Sequence, residues 1–470
     1  MHARRISGEE SARRPLLPFV FRTLFTTPTG TRRGRRVHRE YLDAVLVVGA
    51  IALLLGFVTG CGTTLLPTDE SAKRAPLTNG EVAPVQSPVY EDGNDNSEFT
   101  SAQPATLPAD GEIVIEGAIE VDGDIDVYTL GPASAGDVVV ADVTGNGGLN
   151  AVAALFNGES ELIDANNDRS YYAGNLNPFI SQTIRQDSPN LYLGVAASTA
   201  THFASSGAPT GSYSIRLSRR PAGTVNPPRP QLVWLDFEGG ESVQIAWEPV
   251  VVMNTFSAEA MSSRYAGQTD YIIDRLIAQM RQDLAPYNVT LLDSKHHTRP
   301  TEAHSRLFFG NYNASYLGLA DSVDTGNNML TQEAIIYSED LAMFESLEPT
   351  VDEAAQALAN IAAHELGHLL GLEHTSESGD LMATASSARQ VLEVDAEYRR
   401  ARLEPTIFPV GWQSSGALLL LNLGRSAANN GRWMLDDLIP ASNLGPMRDA
   451  QGIPDIPFSM CGKCTGEGCR

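Results

Sequence analysis

Hydrophobic positions follow two different periods along the chain. From about 110 to 219 they come in short alternating runs: Ile113-Val114-Ile115, Val127-Tyr128-Thr129-Leu130, Val138-Val139-Val140, Leu191 to Val195, and Tyr213-Ser214-Ile215-Arg216-Leu217. Gly, Asn and Asp residues separate the runs, and no helical period interrupts them. A period of two sends alternate side chains to opposite faces, so an antiparallel β-sandwich is expected over 110–219.

From Gln231 the pattern becomes mixed. QLVWLDF at 231–237, NVTLL at 288–292, RLFF at 306–309, LGLADS at 317–322 and EAIIY at 333–337 read as short strands. Between the first two, Ile272, Ile273, Leu276, Ile277, Met280 and Leu284 share one helical face. Thr350-Val351-Asp352-Glu353 has the form of a capping box. Ala355, Leu358, Ala362, Leu366 and Leu369 continue from it at steps of three or four, which predicts a helix from about 351 to 370. The fold class is therefore multidomain: an all-β sandwich, then an α+β unit over 231–424 with a twisted sheet, a back helix and a second helix. FPVGWQSSGALLLLNLG at 408–424 reads as a strand pair closing that unit.

The remaining segments change where this protein is expected to work. Ala44 to Val58 is an unbroken apolar run, short for a membrane span of ~20 residues. A basic stretch precedes it, and Val58-Thr59-Gly60-Cys61 follows. Residues 1–60 read as a signal sequence. Their ending resembles a bacterial lipobox, in which Cys61 is lipidated and becomes the mature N-terminus; a short signal anchor is the alternative. Residues 61–109 are rich in Pro, Ser, Thr, Asn and acids and read as a disordered tether. Pro221 to Pro230 reads as a proline-rich linker. Residues 425–470 form a tail ending in Cys461, Cys464 and Cys469. With Cys61 assigned to lipid, three thiols remain. One disulfide plus a free thiol is the plain reading; half of a metal site and a tail thiolate on a metal are the others.

Charge narrows the partners. The chain carries −24, and its first 60 residues hold ten Arg against four acids, so the remainder carries −30. Such a surface repels nucleic acid.

The candidate chemistry sits in the second helix, in His364-Glu365-Leu366-Gly367-His368-Leu369-Leu370-Gly371-Leu372-Glu373-His374. His364 and His368 are four apart, so a helix sets them on one face with Cβ atoms roughly 5–6 Å apart. Both imidazoles then reach one zinc ion at about 2.0–2.1 Å. Glu365 points beside the pair, where it can act as a base without ligating. On a continued helix His374 would turn away, so the helix must stop, and Gly371 supplies the left-handed residue that stops it. Three protein ligands with one open position are the pattern of a catalytic zinc. Two blander readings compete: a helix with satisfied core histidines, and a zinc-binding protein without activity. The presence of Glu365 weighs against the latter.

The pattern His-Glu-x-x-His-x-x-Gly-x-x-His resembles the metzincin metallopeptidases, which also carry a methionine beneath the zinc. Met382 follows His374 by eight residues, an interval similar to the matrixin branch, and Thr375 is close to the small hydroxyl residue matrixins favour. Ala383-Thr384 departs from the aromatic and proline usual there, which leaves the specificity pocket open. The resemblance implies zinc held by His364, His368 and His374, with Glu365 as general base and Gly371 and Met382 as structural support. It also implies a protein or peptide substrate laid along the 317–322 strand as an edge. Asp321 and Asp324, in a loop with Asn327 and Asn328, are candidate calcium ligands by the same resemblance; a solvated turn is the competing reading. His296, His297 and His304 read as a surface loop. Asp124-Ile125-Asp126-Val127-Tyr128-Thr129-Leu130, Ala135-Gly136-Asp137, Leu155-Phe156 and Gly211-Ser212-Tyr213 resemble the bacterial pre-peptidase C-terminal (PPC) domain, an accessory module of secreted peptidases. There Asp122, Asp124 and Asp126 read as a solvated strand edge, with calcium as the alternative.

The expectation is a zinc endopeptidase of the bacterial cell envelope, anchored by lipid at the outer membrane or cell surface or released from it. The alternative is an envelope adhesion or binding lipoprotein with a non-catalytic zinc site.

Overall fold

The computed structural model describes residues 86–90, 96–170, 174–198, 208–221, 224–245, 248–384, 387–427 and 459–461, the first and last of these as backbone only. The expected signal 1–60, Cys61, Cys464 and Cys469 lie outside these residues. Among the described residues no helix is long and apolar enough to cross a membrane.

Ten strands form the N-terminal half. They are β1 (Gln86–Tyr90), β2 (Gln103–Pro104), β3 (Gly111–Ile119), β4 (Ile125–Ala133), β5 (Asp137–Gly145), β6 (Ala151–Phe156), β7 (Leu162–Asn166), β8 (Phe179–Thr183), β9 (Ser188–Ala197) and β10 (Gly211–Pro221). One sheet runs β1-β3-β10-β5-β8 and the other β2-β4-β9-β6-β7. Alternation supplies the core: Ile113, Ile115, Val139, Ala141, Ile215 and Leu217 from one sheet bury with Tyr128, Leu130, Leu155, Leu191 and Leu193 of the other. Asp126 is not a solvated strand edge. It is fully buried and accepts the Tyr213 hydroxyl, which also meets Tyr128 Oη at 2.6 Å. Asp124 accepts from the Glu120 and Ile125 amides, so that carboxylate shapes a turn.

The tether expected to reach residue 109 ends earlier. Ala105 and Leu107 are buried, and their amides donate to Thr129 O and Leu130 O at 2.9 and 3.0 Å. Asn96 O accepts from Val127 N. A stretch of polar composition is ordered here because strand β4 lends it backbone partners, which composition does not reveal.

The second half begins with β11 (Gln231–Asp236) and a hairpin of β12 (Ser242–Val243) and β13 (Val251–Val252). The back helix, Thr269–Asp283, precedes β14 (Val289–Asp293), β15 (Ser305–Gly310), β16 (Tyr316–Ala320) and β17 (Glu333–Tyr337). The long helix, Val351–Leu369, follows. Later come β18 (Arg400–Arg402), β19 (Trp412–Ser414), a helix at Ser415–Leu423 and β20 (Ser459–Cys461). The sheet order is β14-β11-β15-β17-β16-β20. Strands β11, β14, β15 and β17 pair in parallel, whereas β16 is antiparallel to β17. Ile272, Leu276 and Met280 of the back helix and Leu358, Ala362 and Leu366 of the long helix share one core with Leu235, Leu307 and Ile336 of the sheet. The β12–β13 hairpin covers the other face over Phe308, Leu319 and Ile335.

The long helix starts where its capping box dictates. Glu353 N donates to Thr350 Oγ1 at 3.2 Å and Thr350 N to Glu353 Oε2 at 2.6 Å. Such a cap contributes about 1 kcal/mol. The strand pair expected over 408–424 is instead β19 followed by a helix. The helix Ser415–Leu423 buries Leu419 and Leu423 on the core with a helical spacing of four, which the continuous apolar run Leu418 to Leu421 does not distinguish from a strand.

The two halves lie within one compact unit spanning Glu81–Arg470. Phe408 inserts against the outer face of the sandwich, edge-on to Phe156 at 5.5 Å between ring centres. Gly194 makes room, since a Cβ there would lie 2.5 Å from Phe408 Cζ. Ile125, Val127, Val152, Ala154 and Leu403 complete this junction. Arg185 Nη1 donates to Asn422 Oδ1 and Arg185 Nη2 to Leu421 O, both at 2.6 Å. The expected linker is packed as well: Arg229 N donates to Asn422 O and Arg229 Nη1 to Asn328 O.

Candidate metal centre and catalytic site

The long helix carries His364 and His368 one turn apart, both fully buried. It ends at Leu369, and Gly371 adopts φ +94°. Gly371 N donates to His368 O and Leu372 N to Gly367 O, both at 2.9 Å, so the last carbonyls of the helix are satisfied as the chain reverses. A side chain at 371 would also strike Asp324 O at 2.6 Å. The reversal returns His374 to the helical pair.

The three Nε2 atoms stand 3.2 Å from one another in every pairing. An equilateral triangle of that side has its centre about 1.8 Å from each nitrogen, so an ion just off the plane meets all three at the ~2.0–2.1 Å of a zinc–imidazole bond. The outer nitrogens fix the tautomers. His364 Nδ1 bonds Leu381 O at 2.6 Å and His368 Nδ1 bonds Leu372 O at 2.8 Å. A carbonyl only accepts, so both Nδ1 atoms carry the proton and both Nε2 lone pairs face inward. Burial lowers the His364 pKa to about 4, which keeps the imidazole neutral and able to ligate. Among the described residues this is the one cluster of three or more His, Cys, Asp or Glu side chains able to share an ion. The donor set fits zinc.

Glu365 is fully buried beside the triad. Its carboxylate lies against Gly318 of β16, where an added Cβ would come within 2.3 Å of Oε1. Strand β16 and the carboxylate are thus in contact because position 318 lacks a side chain. Met382 is also fully buried, beneath the helix, and a Cβ on Gly367 would sit 2.4 Å from its Sδ. The turn that holds Met382 is closed by Thr375 N to Met382 O at 2.8 Å and by Thr375 Oγ1 to Asp380 Oδ2 at 2.6 Å. Burial raises the Asp380 pKa to about 6.

Four residues of this site escaped the sequence reading: Gly318, Gly367, Asp380 and Tyr398. Tyr398 is buried and its hydroxyl donates to Ala363 O at 2.6 Å, bracing the helix one residue before the first histidine. The helical step between Ala363 and Gly367 could have marked 367 as a close approach; no local pattern marks the others.

The structure does not support a calcium site at Asp321 and Asp324. Asp321 Oδ2 accepts from Glu333 N at 2.9 Å, and Asp324 Oδ2 accepts from Met329 N at 2.6 Å. Their carboxylates are spent on the backbone of their own loop, and no third ligand joins them among the described residues. His296 and His297 share the buried carboxylate of Asp293 through Nδ1, at 2.8 and 3.0 Å, on a partly exposed turn.

Residues 290–398 match the family model of the matrixins, Peptidase_M10. No curated protein matches the chain in sequence. Among solved structures, archaemetzincin from Methanopyrus kandleri is similar at 14% identity, over 36% of this chain and 90% of that one, with a TM-score of 0.23. The pre-peptidase C-terminal domain of collagenase from Bacillus anthracis is similar at 16% identity, over 25% of this chain and 94% of that one, with a TM-score of 0.19. PliG from Aeromonas hydrophila, a periplasmic lysozyme inhibitor of g-type lysozyme, aligns at 18% identity over 28% and 98%, with a TM-score of 0.19. The matrixin match spans the zinc triad, Glu365 and Met382, and it carries the general reading of a zinc metallopeptidase unit.

Proposed function

We propose that this chain is a zinc-dependent endopeptidase acting on proteins or peptides outside the cytoplasm. The observation that carries the reading is the triangle of Nε2 atoms with sides of 3.2 Å, with the buried Glu365 beside it at the edge of β16.

A zinc ion on His364, His368 and His374 would supply a Lewis acid for a water and for the scissile carbonyl. The chain's own groups do the rest. Antiparallel to β17, strand β16 carries on its far side, where β20 pairs in this structure, the backbone groups with which an extended peptide would pair. Its Gly318 brings that peptide to the level of Glu365. Glu365 accepts a proton from the attacking water and delivers it to the leaving amine as the C–N bond breaks. Met382 and Tyr398 hold the helix and the triad in place without touching substrate.

Export and lipidation at Cys61 rest on the N-terminal sequence. The sandwich supports a role in holding or presenting the enzyme, since Phe408 and Arg185 fix it to the peptidase half.

The test uses purified chain beginning after Cys61. Bound zinc near one equivalent and cleavage of a denatured protein, lost by at least 10³-fold in Glu365→Gln with zinc retained, is the expected result. One zinc with no cleavage, and no change in Glu365→Gln, leaves a binding lipoprotein in its place.

A further inference from the structure

Strand β16 is paired on both sides. On one side lies β17; on the other lies β20, three residues of the C-terminal tail, parallel to β16 with Ser459 opposite Tyr316 and Cys461 opposite Gly318. Adjacent strands stand about 4.8 Å apart. Gly318 is the residue that lies against Glu365. The tail backbone at 461 therefore arrives on the edge where a substrate strand has to lie, level with the catalytic carboxylate.

We infer that the segment Ser459–Cys461 is a self-inhibitory strand that fills the substrate edge of β16. The inference rests on the peptidase reading of this site. Edge strands present unpaired N–H and C=O groups that take whichever extended chain is at hand, so a tail and a substrate compete for one row of hydrogen bonds. The tail has the advantage of attachment. Attachment to the same chain confers an effective concentration on the order of millimolar, so a tail whose dissociation constant is tenfold below that suppresses turnover about tenfold. A strand of three residues is a weak one, which suits a segment that yields to substrate or to cleavage of the tail. The parallel direction matters too. Strand β17 leaves β16 an edge whose inner neighbour is antiparallel, and the tail adds to it with the opposite sense, so β20 is not a continuation of the meander that built the sheet.

The experiment compares the full chain with its Ser459→Pro/Met460→Pro variant, which removes two backbone N–H groups from the tail strand and retains Cys461. Amide exchange over 316–320 is measured alongside kcat/KM on a quenched fluorescent peptide. The expected result is exchange at least tenfold faster over 316–320 and kcat/KM raised about tenfold. A synthetic peptide of residues 455–465 should then inhibit the variant competitively. Unchanged exchange, or faster exchange with unchanged kcat/KM, overturns the inference. A third arm separates the two readings. If Glu365→Gln in the proline variant leaves cleavage unchanged, the peptidase reading fails and takes the inhibitory role with it. If cleavage depends on Glu365 but not on the tail, the tail alone is refuted.

Discussion

The contact between Gly318 and Glu365 makes a sharp prediction for Gly318→Ala. Gly318 does not use a positive φ, so alanine meets no backbone strain there. What it meets is the carboxylate: the new Cβ would stand 2.3 Å from Oε1, 2.6 Å from Cγ and 2.7 Å from Cδ of Glu365. Ordinary van der Waals contact begins near 3.5 Å, so β16 or Glu365 has to give by about 1 Å. Glu365 is fully buried, and overpacking of such a site costs typically 1–3 kcal/mol of stability. Replacing a strand glycine by alanine returns roughly 0.5–1 kcal/mol. Stability should fall by at most about 2.5 kcal/mol, whereas a misplacement of about 1 Å costs catalysis on the order of 10²-fold. The assay is kcat/KM with zinc content and the melting temperature measured on the same sample. A variant that binds zinc, melts within a few degrees of the parent and keeps kcat/KM within threefold would refute the argument that this glycine sets the base against the substrate edge.

Other parts of the molecule make separate predictions. Removing zinc with a chelator should abolish cleavage and lower the melting temperature, and zinc should restore both, because an ion bound only by the folded triad stabilises by mass action; calorimetry with and without metal checks it. Phe408→Ala should cost about 3–5 kcal/mol, since it empties a fully buried site between the halves; calorimetry should show the sandwich melting apart from the peptidase half. Burial raises the Asp283 pKa to about 7, with Asp395 and Glu397 adding to it against the Gln279 hydrogen bond. Its folded value lies above its unfolded one, so the folded state holds the proton more tightly. That contribution is full below about pH 4 and is lost as pH rises towards 7. Asp283→Asn should flatten this fall in a denaturation series from pH 4 to 8, and an unchanged slope would rule the group out.

Much of the site was legible in the chain itself. The long helix carries its own start, Thr350 with Glu353, and its own stop, Gly371, and four-residue spacing puts His364 and His368 on one face. These are local rules, satisfied within a turn or two of backbone. The sandwich was legible for a related reason, since alternation over 110–219 is a local property of strands. The calcium reading of Asp321 and Asp324 gains no support because turn residues and calcium loops share composition, and only the amides of Glu333 and Met329 reveal where the carboxylates point. The Leu418–Leu421 run failed because an unbroken apolar run has no period to read.

What the sequence determined by itself is the chemistry: three imidazoles, one carboxylate and the turn that gathers them, all within eleven residues. What the tertiary structure decided is everything that approaches this group from afar. Gly318 reaches Glu365 across 47 positions, Phe408 docks on a strand at 194, and Cys461 pairs with 318. Periodicity reports which way a side chain faces but not what it meets, because pairing between distant segments is set by the closing of the whole sheet and core. The access of substrate to the zinc motif is therefore a property of the fold, while the motif's capacity to bind zinc is a property of a single helix and its turn.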